Sequence, residues 1–268
     1  MKIACLLPSD HFHAPVVLSA LARRADAELF ALVTPKLPGG GMVLTRLIRL
    51  LRQSGADYLS AMAGMKATFL IHSWLERRSG QDGREREFRS VFDATKELKI
   101  RSSTVQDING RESEEMLRQF APDLILSVFF NQIIAPRIIE LAPVAANVHP
   151  SLLPAYRGVS PAFWILKNGE PAGGATIHRL TERLDAGELL LRQALPVRSR
   201  DSVFRLYRRS AIAAGDLLLG HLDALVRDDL PPLPFDGETS SRFGKITPDA
   251  MRAFRRTRRR FCHFFKPL

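Results

Sequence analysis

The chain has 268 residues, 46% hydrophobic and 25% charged, with a formal net charge of +11. That length supports one large domain, or one domain with a small appendage, and its apolar runs are broken by charge well before the roughly 18 residues a membrane-crossing helix needs. Its two cysteines, Cys5 and Cys262, give neither a disulfide framework nor zinc-ligand spacing. The opening residues lead straight into a strand pattern rather than a secretory leader, so a cytoplasmic, metal-free protein is expected.

Ile3–Leu7 reads as a short buried strand, Ala14–Arg24 as a helix and Leu29–Thr34 as a second strand. Short, continuous apolar strands around a helix are the mark of a parallel sheet. The turn after the first strand, Pro8-Ser9-Asp10-His11-Phe12-His13, lacks G-x-G-x-x-G, so no dinucleotide is indicated. His11 and His13 lie where open sheets bind ligands. They are candidate substrate contacts, with ordinary loop histidines as the alternative. Residues 35–41 are turn chemistry.

Residues 42–78 are helical and basic, with Leu44, Leu47, Ile48 and Leu51 at helical spacing and Arg46, Arg49 and Arg52 between them. Such a stretch can cover the sheet or lie on a membrane surface. After a polar break at 79–83, residues 84–98 read as a helix, 102–106 as a short strand and 113–120 as a helix. Asp123–Phe130 is the strongest strand pattern in the chain. Pro136–Leu141 follows as a short helix with proline at its first position, then a strand over Ala145–His149. Ala175–Thr181 and Glu188–Val197 read as strands joined by the turn Asp185-Ala186-Gly187. Asp201–Arg227 is a long amphipathic helix, and 231–248, rich in Pro and Gly, is an extended segment. The whole predicts a doubly wound, mostly parallel Rossmann-like α/β sheet with a C-terminal helix and an extended basic tail. Residues 1–200 form the catalytic domain in this reading, and 201–268 the C-terminal extension.

The charge is concentrated. Residues 252–268 carry six Arg, one Lys and no acid, so the rest of the chain is only 11 − 7 = +4. Arginines alternating with Phe254, Phe261, Phe264 and Phe265 suit a phosphate or an anionic membrane surface. They equally suit an amphipathic helix that packs its phenylalanines and solvates its arginines.

The segment 145–193 carries the chemistry. Asn147 and His149, two apart at a strand end, point to one side of the sheet, and Asp185 sits in a turn between later strands. An imidazole, a carboxamide and a carboxylate are the groups needed for acyl transfer to an amine. Sequence spacing alone leaves open whether Asp185 approaches His149. The order Asn147-Val148-His149, Ser151-Leu152-Leu153-Pro154, Tyr156-Arg157-Gly158 and Asp185-Ala186-Gly187, with the strand Gly174–His178 and Gln193, resembles the catalytic core of the folate-dependent formyltransferases.

The resemblance implies a co-substrate, 10-formyltetrahydrofolate, and no metal. It implies that Asn147 and His149 donate to the oxyanion while Asp185 orients His149 and helps move the amine's proton. It places the pterin against Leu126, Val128, Phe130 and Arg183–Asp185, including Leu184, with many backbone contacts. Ser151, Leu152, Leu153 and Pro154 wall the formyl end, and Tyr156 and Arg157 join His11 and His13 on the substrate side. The implied acceptor is a small-molecule primary amine, phosphate-bearing, such as an amino sugar on a nucleotide or lipid carrier. A methionyl-tRNA formyltransferase-like enzyme binding nucleic acid is the alternative, although no room remains for that family's C-terminal barrel. A formyltetrahydrofolate hydrolase and a non-catalytic folate binder also stay open. Peripheral membrane contact through 42–78 or 252–268 is compatible with the pattern, and the oligomeric state is not specified.

Overall fold

The computed structural model describes residues 1–35, 43–79, 90–130, 132–234 and 240–262. The turn at 35–41 beyond Pro35, the break at 80–83, the start of the helix expected from residue 84, and Phe264 and Phe265 of the tail lie outside these residues.

The first strand, β1 (Lys2–Pro8), leads through α1 (Ala14–Leu21) to β2 (Glu28–Thr34). After α2 (Val43–Ser79) and α3 (Val91–Glu97) come β3 (Arg101–Thr104), α4 (Arg111–Phe120), β4 (Leu124–Val128), α5 (Pro136–Ile139) and β5 (Val144–His149). Then follow β6 (Arg157–Gly158), α6 (Pro161–Asn168), β7 (Ala172–Arg179), β8 (Leu189–Pro196), α7 (Val203–Val226), β9 (Arg242–Phe243) and α8 (Pro248–Arg256). Seven strands form one sheet in the order β3-β2-β1-β4-β5-β7-β8. The first five are mutually parallel, and β7 runs antiparallel to both β5 and β8. The direction of winding reverses between β1 and β4, so ligands are expected outside the carboxyl ends of those strands.

Alternation along each strand divides the core. Leu126, Val128, Ala146 and Val148 face one side with α1 and α7, whose Leu18, Leu218 and Leu222 are buried there. Helix α7 therefore belongs to the main core. Ile125 and Ala145 face the other side with Leu117, Phe120 and Ile138 of α4 and α5. Polar side chains close the helix ends: Ser90, Ser202 and Thr247 accept from the backbone N–H groups of Asp93, Arg205 and Ala250. The N–H groups of Val203 and Phe204, left without partners inside the first turn of α7, donate to the carbonyls of Arg260 and Phe261.

A third apolar cluster joins α2, α6 and α8 and includes Met65, Phe69, Phe163, Phe254 and Phe261. Here α2 is a packed cover, but its buried stripe is not the one its first turns suggest. Ser54, Met65, Thr68 and Phe69 face inward, while Ile48 and Leu51 are 40% and 45% exposed. The side chains of Leu44, Arg46, Leu47 and Arg49 lie outside the described residues. Gly55, at φ 82° and ψ 168°, interrupts the helix between Ser54 and the inward residues that follow. The tail follows the amphipathic pattern: Phe254 and Phe261 are buried while Arg252, Arg255 and Arg256 are exposed. The extended 231–248 segment returns to the body by pairing β9 with β6, and Leu233 N–H donates to the Leu189 carbonyl. Short α6 and the β6–β9 pair are not among the elements that the sequence predicts. Among the described residues, no helix is long and apolar enough to cross a membrane.

Candidate active site

Three adjacent strands carry one polar row. Ser127 on β4 is in register with Asn147 on β5, and Asn147 is in register with His178 on β7. In a pleated sheet, register partners present side chains to the same face. The row is closely bonded: Ser127 Oγ donates to Asn147 Oδ1 at 2.5 Å, and Asn147 Nδ2 lies 3.0 Å from His178 Nε2. His178 Nδ1 lies 2.8 Å from the Arg179 carbonyl. That carbonyl can only accept, so the His178 proton sits on Nδ1 and its Nε2 accepts from the Asn147 amide. One Asn147 amide hydrogen remains for a ligand.

His149 stands two residues beyond Asn147 on the same face, 4% exposed. Its Nε2 donates to the Tyr156 carbonyl at 3.0 Å. Its Nδ1 faces Asp185 Oδ1 at 3.5 Å, and His178 Nε2 lies 3.8 Å from the same oxygen. Asp185 Oδ2 accepts the Gly158 N–H at 2.8 Å. Asp185 adopts φ +49°, a left-handed conformation that aspartate tolerates better than most residues. The structure thus brings Asn147, His149 and Asp185 together, although His149 and Asp185 are 36 positions apart along the chain.

His178 also belongs to this cluster. The sequence predicts the strand that carries it but marks no role for it. The available signal was alternation: with β7 antiparallel to β5, its polar positions Thr176 and His178 oppose His149 and Asn147. Thr176 Oγ1 donates to the Ser151 carbonyl at 2.7 Å and accepts the Leu153 N–H, fixing the loop that leaves His149. Burial first, then repulsion from His149, lowers the His178 imidazole from 6.5 to about 4, against the pull of Asp185 and the Arg179 carbonyl. The folded protein therefore takes up this proton at lower pH than the unfolded chain does. Its contribution to stability is full above about pH 6.5 and is lost as pH falls toward about 4, with a slope of at most about 1.4 kcal/mol per pH unit. Urea denaturation between pH 4 and 7.5 should show that loss, and His178→Gln should flatten it.

Several expected ligand contacts move. Leu126 and Val128 are fully buried in the core on the opposite face, so their side chains do not reach the crevice. The positive φ of Phe129 (50°) ends the alternation after Val128 and returns Phe130 to the Ser127 side. The crevice there is lined by Phe130, Gln132, Leu180, Arg183 and Leu184 beside Asn147 and Asp185. Ser151 and Leu153 are buried, with Ser151 Oγ donating to the Ala155 carbonyl. Leu152 packs against Gly174. Tyr156 offers its carbonyl to the site, while its ring stacks on Phe243 and its hydroxyl donates to Glu170 at 2.5 Å. That ring packs in the third apolar cluster.

Pro154 and Arg157 line a separate concavity beyond Asp185, where the Arg157 Nε is buried without a hydrogen-bond partner. His11 and His13 line a third cavity, at the carboxyl ends of β1 and β4. Among the described residues, no group of three or more His, Cys, Asp or Glu side chains is arranged to hold a metal ion.

Solved structures share this architecture. A sugar N-formyltransferase from Shewanella sp. is 17% identical with a TM-score of 0.56, over 91% of this chain and 77% of that one. A phosphoribosylglycinamide formyltransferase from Anaplasma phagocytophilum is 15% identical with a TM-score of 0.58, over 91% and 98%. An N-formyltransferase from Helicobacter canadensis, solved with folinic acid and dTDP-3-aminofucose, is 17% identical with a TM-score of 0.55, over 91% and 71%. At these identities the likeness is one of fold. The protein-family model described as Formyl transferase matches residues 75–222, more than half of the sequence and the stretch that carries Ser127, Asn147, His149, His178 and Asp185. By that match the chain belongs to the formyl transferase family.

Proposed function

We propose that this chain moves the formyl group of 10-formyltetrahydrofolate onto a primary amine of a small molecule, with an amino sugar on a nucleotide or lipid carrier as the acceptor class. The observation that carries the reading is the meeting of Asn147, His149 and Asp185 in a chain of this family. The sugar acceptor is supported by the N-formyltransferases among the structures of like fold.

The folate supplies an activated formyl group, and the side chains around it do the rest. Asn147, held at its oxygen by Ser127 and at one amide hydrogen by His178, keeps its second amide hydrogen for the formyl oxygen. His149 supplies a second donor when its Nε2–H leaves the Tyr156 carbonyl. Asp185 receives the proton that the attacking nitrogen gives up, and the imidazole 3.5 Å away helps pass it to the departing folate nitrogen.

The lining suits a flat heterocycle: Phe130 and Leu180 offer apolar faces, and Gln132 and Arg183 offer hydrogen-bonding edges. The crevice is narrow, about 40 Å³, and the 181–184 turn beside it is exposed. Incubation with 10-formyltetrahydrofolate alone, then with a panel of amines, tests the reading. Turnover that requires an amine is the expected result. Turnover without one would make the protein a hydrolase, and folate binding without turnover in either case would leave only a binder.

A further inference from the structure

The cavity at the carboxyl ends of β1 and β4 has a volume of about 300 Å³, within the range of small-molecule sites. It lies at the point where the winding of the sheet reverses. Strand spacing places it about 5–10 Å from the strand that carries His149. Two short links connect it to the reacting centre. Phe129 lines the cavity while Phe130 lines the folate crevice. Val159 and Ser160 line it directly after Gly158, whose N–H holds Asp185.

Its walls are apolar: Phe12, Leu50, Tyr58, Met62, Met65 and Phe261. In a chain with 39 Lys and Arg residues, no arginine is among the described residues that line it. Lys245 reaches it, but its ammonium already donates to Gln53 Oε1 at 3.0 Å. Phosphate recognition rests on arginine forks or several convergent cationic donors, and this lining offers neither. Its polar members include Asp10, Ser54, Ser160, Tyr207 and His13, the last 2% exposed with neither ring nitrogen in a close hydrogen bond. Burial holds that imidazole neutral, helped by repulsion from His11 and Arg208, so it can exchange a hydrogen bond with a neutral ligand group. Most of the lining residues, those in 8–13, in α2 and in 245–261, lie outside the stretch that matches the family.

We infer that this cavity holds the far end of the acceptor and that this end is hydrocarbon, so that the amine is borne on a lipid-like carrier rather than on a nucleotide. The inference rests on the formyl-transfer reading and narrows it.

Calorimetric titrations test it, with n-butylamine, n-octylamine and thymidine diphosphate added to the full chain in the presence of 5-formyltetrahydrofolate. Each fully buried methylene is worth about fourfold in affinity. With four extra methylenes at least partly buried, octylamine should bind at least about thirtyfold more tightly than butylamine, and thymidine diphosphate should not saturate. Met62→Lys, at a half-buried wall position, should remove most of the octylamine preference and leave 5-formyltetrahydrofolate binding unchanged. Leu50→Lys repeats the test from the other side of Gly55 should the first variant fail to fold. Equal affinity for the two amines, tighter binding of the nucleotide, or an unaltered preference in the folded variants would overturn the inference. Absence of 5-formyltetrahydrofolate binding to the unmodified chain is a different outcome: it removes the formyl-transfer reading, whichever amine binds.

Discussion

Asn147→Ala is expected to slow formyl transfer by about 10²–10³, the usual consequence of deleting one oxyanion donor. The carboxamide is buried and bonded on both sides, to Ser127 and His178, so its position is set before substrate arrives. Its loss also leaves Ser127 Oγ and His178 Nε2 without a mutual partner in a buried site, at a cost of about 1–3 kcal/mol in stability. His149→Ala should cost at least as much in rate. The double variant should be little worse than the more damaging single change, because groups acting on the same reacting atoms are strongly non-additive. Single-turnover rates with 10-formyltetrahydrofolate check this, with binding of 5-formyltetrahydrofolate as the control for a formed crevice. Full activity in a well-folded His149→Ala protein would remove the proposed chemistry.

The second large effect concerns a position with no side chain. A Cβ at Gly187 would stand 1.9 Å from the Arg179 carbonyl oxygen and 2.8 Å from its carbon. Both are backbone atoms of a paired strand, and Arg179 N–H already bonds to Glu188 O, so they cannot simply swing aside. Gly187→Ala must therefore push the turn off β7 and carry Asp185, two residues away, from its place beside His149. Overpacking of this kind costs about 1–3 kcal/mol, or roughly 2–12 °C in melting temperature for a chain of this size. A displacement near 1 Å at a proton-transfer group can cost about 10² in rate. Gly220→Ala is the matched control. Its Cβ meets nothing within 4 Å on a helix, so a gain of about 0.5–1 kcal/mol is expected there. Thermal denaturation of the two variants, with their transfer rates, separates strain at the turn from any general effect of adding a methyl group.

Much of the sheet was readable because its signal is local. Runs such as Ile3–Leu7 and Leu29–Val33 are apolar without a break, as strands buried on both faces must be. Asn147 and His149 were legible as a same-face pair for the equally local reason of two-residue spacing. What failed was parity across a discontinuity. Leu126, Val128 and Phe130 look like one face of one strand, but the strand ends at Val128 and Phe129 turns the chain over, so only Phe130 reaches the crevice. His178 went without a role because its importance lies in the pairing of β7 with β5, and no spacing along the chain reveals which strands become neighbours. Ile48 and Leu51 repeat at helical spacing, but that spacing does not say which face of α2 meets the body, and both are exposed. Asp185 could be seen as a turn residue, but its 3.5 Å approach to His149 is a tertiary fact.

The carbonyls of Arg260 and Phe261 complete the first turn of α7, and Phe261 stands in the wall of the apolar cavity. All seven strands of the main sheet, and α7 itself, precede these residues in the chain. During synthesis the sheet with its Ser127–Asn147–His178 row can therefore assemble while the cavity still lacks a side. The apolar cavity then gains its last wall after the sheet, and a ribosome stalled ahead of residue 260 should display a protein with the polar row formed and that wall missing.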